Sequence, residues 1–342
     1  MCDLFGTNCR YLWFTLGFAL FFIIMRIGQY IACFSCHSSY FLFTNTLSDN
    51  TSSHNTEKPI RVDDISIECI ESASHLDGKH DIFRKPKLLA PLINSNESHS
   101  LPYHYSRWRS SVLLQRQVTQ CEHLQIIRLL TIIDRMCRSY NLTYMMHSGT
   151  LLGSWRHHDL IPWDDDADIM VSIKDQSRLL DGLNALNTTS VAYHYYVYSK
   201  KPINEFCRVY FKRNTSVSKF PWTFPFVDIF FYATNESHLW LYNRPEQLLV
   251  ELQYIFPLIM RPFGQLWLPA PKQPLSFLPF DIEINCVGNY WDHRNETFVN
   301  ITTQKCVDLT DVYPFVHREI HNGSMTEILR INSTIIHTVI YN

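Results

Sequence analysis

The chain has 342 residues, with 30 Lys and Arg against 32 Asp and Glu and a formal net charge of −2. That length holds one sizeable catalytic domain plus appendages. The balanced charge lacks the basic footprint of a nucleic-acid binder, so no nucleic-acid partner is expected.

The first element is an apolar run over residues 11–25, broken by Arg26 and resumed over 27–34. A spanning helix needs about 20 predominantly apolar residues, a length reached only by including Arg26, which can snorkel near a helix end. The run reads as a transmembrane signal anchor over 11–34, behind a cytosolic tail of residues 1–10. A cleaved signal peptide is the rival reading, and no small-x-small cleavage site follows. Arg10 precedes the run and the first Lys or Arg after it is Lys58, which favours a single-pass type II chain with its body in the lumen. Cys33-x-x-Cys36 sits against the run without a second ligand pair, so palmitoylation, or no role, is favoured over a metal there. Residues 35–106 are rich in Ser, Asn, His and Asp and read as a luminal stem.

Asn-x-Ser/Thr acceptors stand at Asn50, Asn96, Asn141, Asn187, Asn214, Asn235, Asn295, Asn300, Asn322 and Asn332, as a luminal body would allow. Cys69, Cys121, Cys137, Cys207, Cys286 and Cys306 permit three disulfides, and Cys286–Cys306, bracketing a short loop-rich segment, is the favoured pair.

The catalytic domain is expected over 107–330. Val118, Leu124, Ile127, Leu130, Ile133 and Met136 recur at three- and four-residue steps and predict an amphipathic helix ending near Ser139. Residues 144–146 predict a short strand entering a turn at Gly149, and residues 169–173 predict the next strand, with an acidic cluster at its start. Alternation over 191–198 and 208–212 predicts two more strands flanking the strand of Asp228. The order implies a mixed-sheet α/β core. Residues 256–280 are rich in Pro and aromatics and predict an ordered, loop-dominated subdomain. The final segment, 331–342, reads as a tail, either a last strand or a frayed end.

Asp164, Asp166 and Asp168 alternate, so an extended segment projects all three to one face. Carboxylates that close repel, and a hard divalent ion, Mg²⁺ or Mn²⁺, removes the conflict. Asp165 points the other way and reads as a capping residue. Gly149, Thr150 and Gly153 form a small-residue turn that lets the backbone approach a donor phosphate. Arg156 is the candidate phosphate clamp, weighed against a salt bridge to Asp159. Arg208 is a further phosphate-reaching candidate, and Trp163 is placed between stacking on a substrate and core packing. Asp292-His293-Arg294, beside Tyr290-Trp291, reads either as facing an acceptor or as a surface turn.

The ordered block of residues 149–153, then Arg156-His157, 161–166 and Asp168-Ile169 resembles the LicD family, which includes the fukutin-like proteins, within the nucleotidyltransferase-fold superfamily. Residues 226–231, 261–271 and 289–296 extend the resemblance, which covers about 115–297. It implies a nucleotidyltransferase-like core in which Asp166 and Asp168 are the paired metal carboxylates and Asp228 is the third. Asp164 is implied as an additional ligand or as the base for the acceptor hydroxyl. It further implies a Golgi or endoplasmic-reticulum enzyme. The reaction would be transfer of phosphocholine, ribitol phosphate or glycerol phosphate from a CDP-alcohol donor to a glycan hydroxyl. Self-association is left open. Fukutin-related members carry a cysteine zinc loop that has no counterpart here, so zinc dependence is not carried over. A D-x-D glycosyltransferase using a nucleotide sugar and a non-catalytic glycan-binding member of the fold are the alternatives.

Overall fold

A computed structural model describes residues 110–187, 190–197, 205–242, 249–279, 281–321 and 323–341. The tail, anchor, stem and Cys33-x-x-Cys36 lie outside the described residues, as do Cys69 and the acceptors Asn50, Asn96 and Asn322. Among the described residues, no helix is long and apolar enough to cross a membrane.

Helix α1 (Gln120–Ser139) starts at a capping box: the Glu122 N–H donates to Thr119 Oγ1 at 3.2 Å, and the Thr119 N–H donates to the Glu122 carboxylate at 2.8 Å. Its buried face is wider than the predicted stripe. Ile126, Leu129 and Ile132 join Ile127, Leu130, Ile133 and Met136, while Leu124 is only half-buried. A helix covered from more than one side needs that breadth, and α1 packs on the central sheet and on a second helix.

The predicted strand is β1 (Tyr144–Met146), but the expected turn at Gly149 is helical: α2 spans Ser148–His157. Strand β2 (Ala167–Ser172) follows, and Ser172 Oγ caps a 3₁₀ turn at Ile173–Asp175. Helix α3 (Gln176–Leu186), which the apolar pattern did not announce, leads to β3 (Val191–Val197), β4 (Glu205–Ser216) and β5 (Thr223–Thr234). The sheet order is β1-β2-β5-β4-β3, with β2 parallel to β5 and the other pairs antiparallel; β6 (His238–Leu241) joins β5, and β7 (Leu249–Glu251) joins β6. Of the two strands expected to flank β5, β4 does so and β3 lies one place further out. The mixed α/β sheet is as expected. Its register aligns Asp168 on β2 with Asp228 on β5, and Asp228 with Arg208 on β4. Residues in register across adjacent strands share a face, so the sheet itself gathers these charges.

The C-terminal part has more strand than expected. β8 (Ile259–Phe263) and β9 (Leu266–Ala270) form a hairpin turning at Gly264, φ 57°. β10 (Asn285–Val287) pairs with β13 (Thr303–Lys305), enclosing a second hairpin of β11 (Trp291–Asp292) and β12 (Thr297–Phe298). β14 (Phe315–His321), β15 (Ser324–Ile331) and β16 (Thr334–Tyr341) form a meander, so the segment read as a tail or last strand is a last strand.

Cys286 and Cys306 are disulfide-bonded, as favoured. The three-disulfide framework is corrected: Cys121 is bonded, whereas Cys137 and Cys207 are free thiols buried in the core. Apolar surroundings push both thiols well up from their ordinary range, which suits inert core packing.

Candidate active site

Asp166, at the entrance to β2, Asp168 inside it and Asp228 on β5 each offer an oxygen, and these oxygens lie within 4.8 Å of one another. Asp166 is 6% and Asp228 4% exposed, while Asp168 keeps partial access to solvent. Burial, followed by the charges of Asp166, Asp228 and Asp164, pushes the Asp168 carboxyl well above its usual range. Burial likewise raises Asp166, with Asp164, Asp165 and Asp228 adding to the shift and His293 opposing it. Three converging hard oxygens in a site that penalises their negative charge fit a divalent cation of the Mg²⁺ or Mn²⁺ kind.

Asp164 is not within that trio. It lies in the loop before β2, where Asn289 Nδ2 donates to its Oδ1 at 2.5 Å. Burial and the neighbouring Asp165 charge push it up to about 6. The alternation argument reaches Asp166, next to the strand, and stops short of Asp164, which lies in the loop and is held there by Asn289. Asp165 is also buried and does not point away from its neighbours, which corrects the expectation: its carboxylate caps the His293 backbone N–H at 2.9 Å, lies 2.7 Å from His293 Nδ1 and comes within 4.8 Å of an Asp166 oxygen. His293 Nε2 reaches Asp166 at 3.3 Å. Burial opposes the charged imidazolium, but Asp166 and Asp165 outweigh it and raise His293 to about 10. Of the two readings of Asp292-His293-Arg294, the surface turn does not fit His293, which is turned onto the acidic loop. The contact of Asn289 with Asp164 had no signal in the sequence beyond the resemblance over 289–296.

Arg208 grips Asp228 in a fork, with Nε to Oδ1 and Nη2 to Oδ2 both at 2.8 Å, and also pairs with Glu296. The expected phosphate contact is therefore corrected to a buried carboxylate clamp. A carboxylate has about four acceptor positions, so Asp228 retains lone pairs while Arg208 fixes its plane. Glu296 also accepts from Trp222 Nε1 at 3.1 Å and from Trp291 Nε1 at 3.0 Å.

The residues of α2 do a different job from the one expected. A Cβ at Gly149 would meet the Asp164 carboxylate, and one at Gly153 would meet the backbone of Asp159 and Ile161. The glycines thus admit the acidic loop against the helix. Thr150 Oγ1 accepts the Asp168 N–H at 2.6 Å and sets the start of β2. Arg156 is 5% exposed and makes no bridge to Asp159; it donates to the Ile282 carbonyl at 3.0 Å and to His157 Nε2 at 3.1 Å, over the Trp163 ring. Burial lowers it to about 10. This is a structural cross-tie in place of a phosphate clamp. Trp163 is core, packed on Tyr313 with Nε1 donating to the Val287 carbonyl at 3.0 Å.

Residues 141–273 match the family model described as LicD/FKTN/FKRP, nucleotidyltransferase domain. The ribitol 5-phosphate transferase FKRP of Mus musculus is 29% identical over 162 residues, 46% of this chain and 31% of that protein. The Homo sapiens protein of the same name is 28% identical over 138 residues, 40% of this chain and 26% of its own length. The lipopolysaccharide cholinephosphotransferase LicD of Haemophilus influenzae is 33% identical over 60 residues, 18% of this chain and 23% of that protein. The chain spans less than a third of the length of these curated relatives.

Proposed function

We propose, from the match of residues 141–273 to the LicD family model, that the chain is a phosphate-group transferase of that family and moves a phosphorylated alcohol from a CDP-activated donor to a glycan hydroxyl. The observation that carries this reading is the convergence of Asp166, Asp168 and Asp228 within 4.8 Å at the mouth of two parallel strands. Asp166, Asp168 and Asp228 would hold the divalent ion, Mg²⁺ or Mn²⁺, which when bound neutralises diphosphate charge and favours departure of the leaving oxygen. The acceptor oxygen attacks the phosphorus that bears the alcohol. The bond from that phosphorus to the bridging oxygen breaks, and cytidine monophosphate leaves. Asp164 takes the hydroxyl proton. Arg208 keeps the Asp228 carboxylate in register with Asp168, while Asn289 and His293 hold the Asp164–Asp166 loop closed on the helix side.

A Golgi or endoplasmic-reticulum lumen is the proposed location. It is supported by the disulfide at Cys286–Cys306 and by exposed acceptors at Asn141, Asn187, Asn235, Asn295, Asn300 and Asn332. The test is nucleotide release by the purified full-length chain from CDP-choline, CDP-ribitol, CDP-glycerol and nucleotide sugars, with an Asp166→Asn/Asp168→Asn control. We expect cytidine monophosphate release that needs Mg²⁺ or Mn²⁺ and falls at least 1,000-fold in the control, on the order of 4 kcal/mol of transition-state stabilisation. Release of a nucleoside diphosphate from a sugar donor would instead establish a glycosyltransferase.

A further inference from the structure

The β11–β12 hairpin carries two large rings in water beside the acidic centre. Tyr290 is 60% and Phe298 63% exposed. Leaving apolar rings in solvent forgoes roughly 25 cal/mol for each Å² that burial would remove from water, so an ordered exposed pair asks for an occupant. The pair is held in place. The rings lie 6.4 Å apart at 24°, Trp291 stands edge-on to Phe298 at 4.6 Å and 85°, and the Val299 N–H donates to the Tyr290 carbonyl at 2.9 Å. Glu296 fixes the Trp291 indole from below and belongs at the same time to the Arg208–Asp228 clamp.

We propose that this aromatic ridge is the acceptor subsite and receives the apolar face of a pyranose ring from a glycan. The inference rests on the transferase reading above. Its strength is the direct connection between ridge and acids. Asn289, immediately before Tyr290, donates to Asp164, and His293, three residues after it, binds Asp165 and Asp166. Adjacent Cα atoms are about 3.8 Å apart, so the Tyr290 backbone stands one residue from a side chain that contacts the acidic loop. A pyranose suits this edge because it is amphipathic: its C–H face packs on an aromatic ring while its rim of hydroxyls stays available to polar groups. Pre-ordered rings also lose little side-chain freedom on binding. A bilayer is the poorer occupant: Asp292 and the exposed Asn295 and Thr297 share the hairpin, and its basic side chains, Arg294 and His293, are already paired with Glu122 and with Asp165 and Asp166.

Saturation-transfer NMR on the full-length chain in detergent tests the subsite without donor or metal. The probes are the methyl β-glycosides of N-acetylglucosamine, N-acetylgalactosamine, galactose and mannose. At least one glycoside should receive saturation on its ring C–H protons. The signal should fall at least fivefold in Tyr290→Ala/Phe298→Ala, with the melting temperature within about 2 °C of wild type, as expected for exposed positions. The aromatic exchange Tyr290→Phe/Phe298→Tyr should restore it. Absence of saturation from all four probes, or an undiminished signal in the alanine variant, overturns the proposal. So does co-sedimentation with phosphatidylcholine vesicles that the alanine variant loses, which would assign the ridge to a membrane. Failure of every CDP donor to turn over, with saturation as expected, would remove the transferase reading and leave a glycan-binding ridge.

Discussion

At the scale of single residues, the acidic centre is built against the stability of its own fold. Asp168 is raised by burial and by three neighbouring carboxylates, so its native form holds a proton more tightly than the unfolded chain does. A raised carboxylate opposes folding increasingly as pH rises from its unfolded value of about 4 towards its native one. Asp168→Asn removes that opposition. The variant should melt about 2–4 °C above wild type at pH 7 in chelator, a gain that vanishes near pH 4 while transfer is lost. Mg²⁺ should then raise the melting temperature of wild type alone. A variant that melts below wild type in chelator would mean that Asp168 is held by contacts other than a cation. The acids themselves could be read from their spacing and from the resemblance. Their partners could not: Arg208 finds Asp228 through strand register, and His293 finds Asp165 across 128 residues. Spacing along a chain reports a face and nothing of what lies opposite.

At the scale of elements, the segment between β10 and β13 is a strap over the centre, clipped by Cys286–Cys306. It brings Asn289, His293 and Glu296 to Asp164, Asp165 and Arg208. A disulfide closing a loop of this length contributes about 3 kcal/mol, chiefly by restricting the unfolded chain. Cys286→Ser/Cys306→Ser should lose that stability in urea titrations. At a temperature where it is still fully folded, its kcat/KM for transfer should be down at least tenfold because the strap no longer holds its register. Full activity with reduced stability would show that the His293–Asp165 contact alone seats the strap. The strap pair was legible because its cysteines bracket a loop. Helix α2 was not, because Gly149 and Gly153 ordinarily weaken helices. Here close approach decides: the glycines meet the Asp164 side chain and the Asp159 backbone, contacts no sequence pattern records. Helix α1 was the most legible element because its apolar residues recur at three- and four-residue steps, a purely local signal, and its Thr119–Glu122 capping box agrees with that pattern.

At the scale of the whole molecule, a buried carboxylate lies at the centre of the joint between the C-terminal meander and the acidic domain, where Arg318 and Phe315 also reach Trp155 and Trp163. Glu327 on β15 meets Arg261 on β8 at 2.8 Å, His158 at the end of α2 at 3.0 Å and Arg318 on β14 at 3.0 Å. Arg261 is wholly buried, and its Nε and Nη1 have no hydrogen-bond partner among the described residues, while its Nη2 meets Glu327, which serves as its counter-charge. Burial opposes the charge of Glu327, but the His158 hydrogen bond and the two guanidinium groups outweigh it and hold the carboxyl at about 2. A carboxylate lowered in this way stabilises the fold fully above its unfolded value near 4.5. The contribution, on the order of 3 kcal/mol, is lost as pH falls from 4.5 to 2. Neutral His158 acts in the same direction: burial first, then the nearby arginines, lower it despite Glu327, so its contribution is lost as pH falls below about 6.5. Glu327→Gln should cost about 3–5 kcal/mol at pH 7 by stranding Arg261, and the gap from wild type should narrow on acidification through the 4.5-to-2 window. Hydrogen exchange on wild type should show β15 and β16 losing protection across that window while β2 and β5, inside the main apolar core, keep theirs. Simultaneous loss in all four strands would mean that meander and core unfold as one unit, with Glu327 setting the stability of the whole and not of the joint.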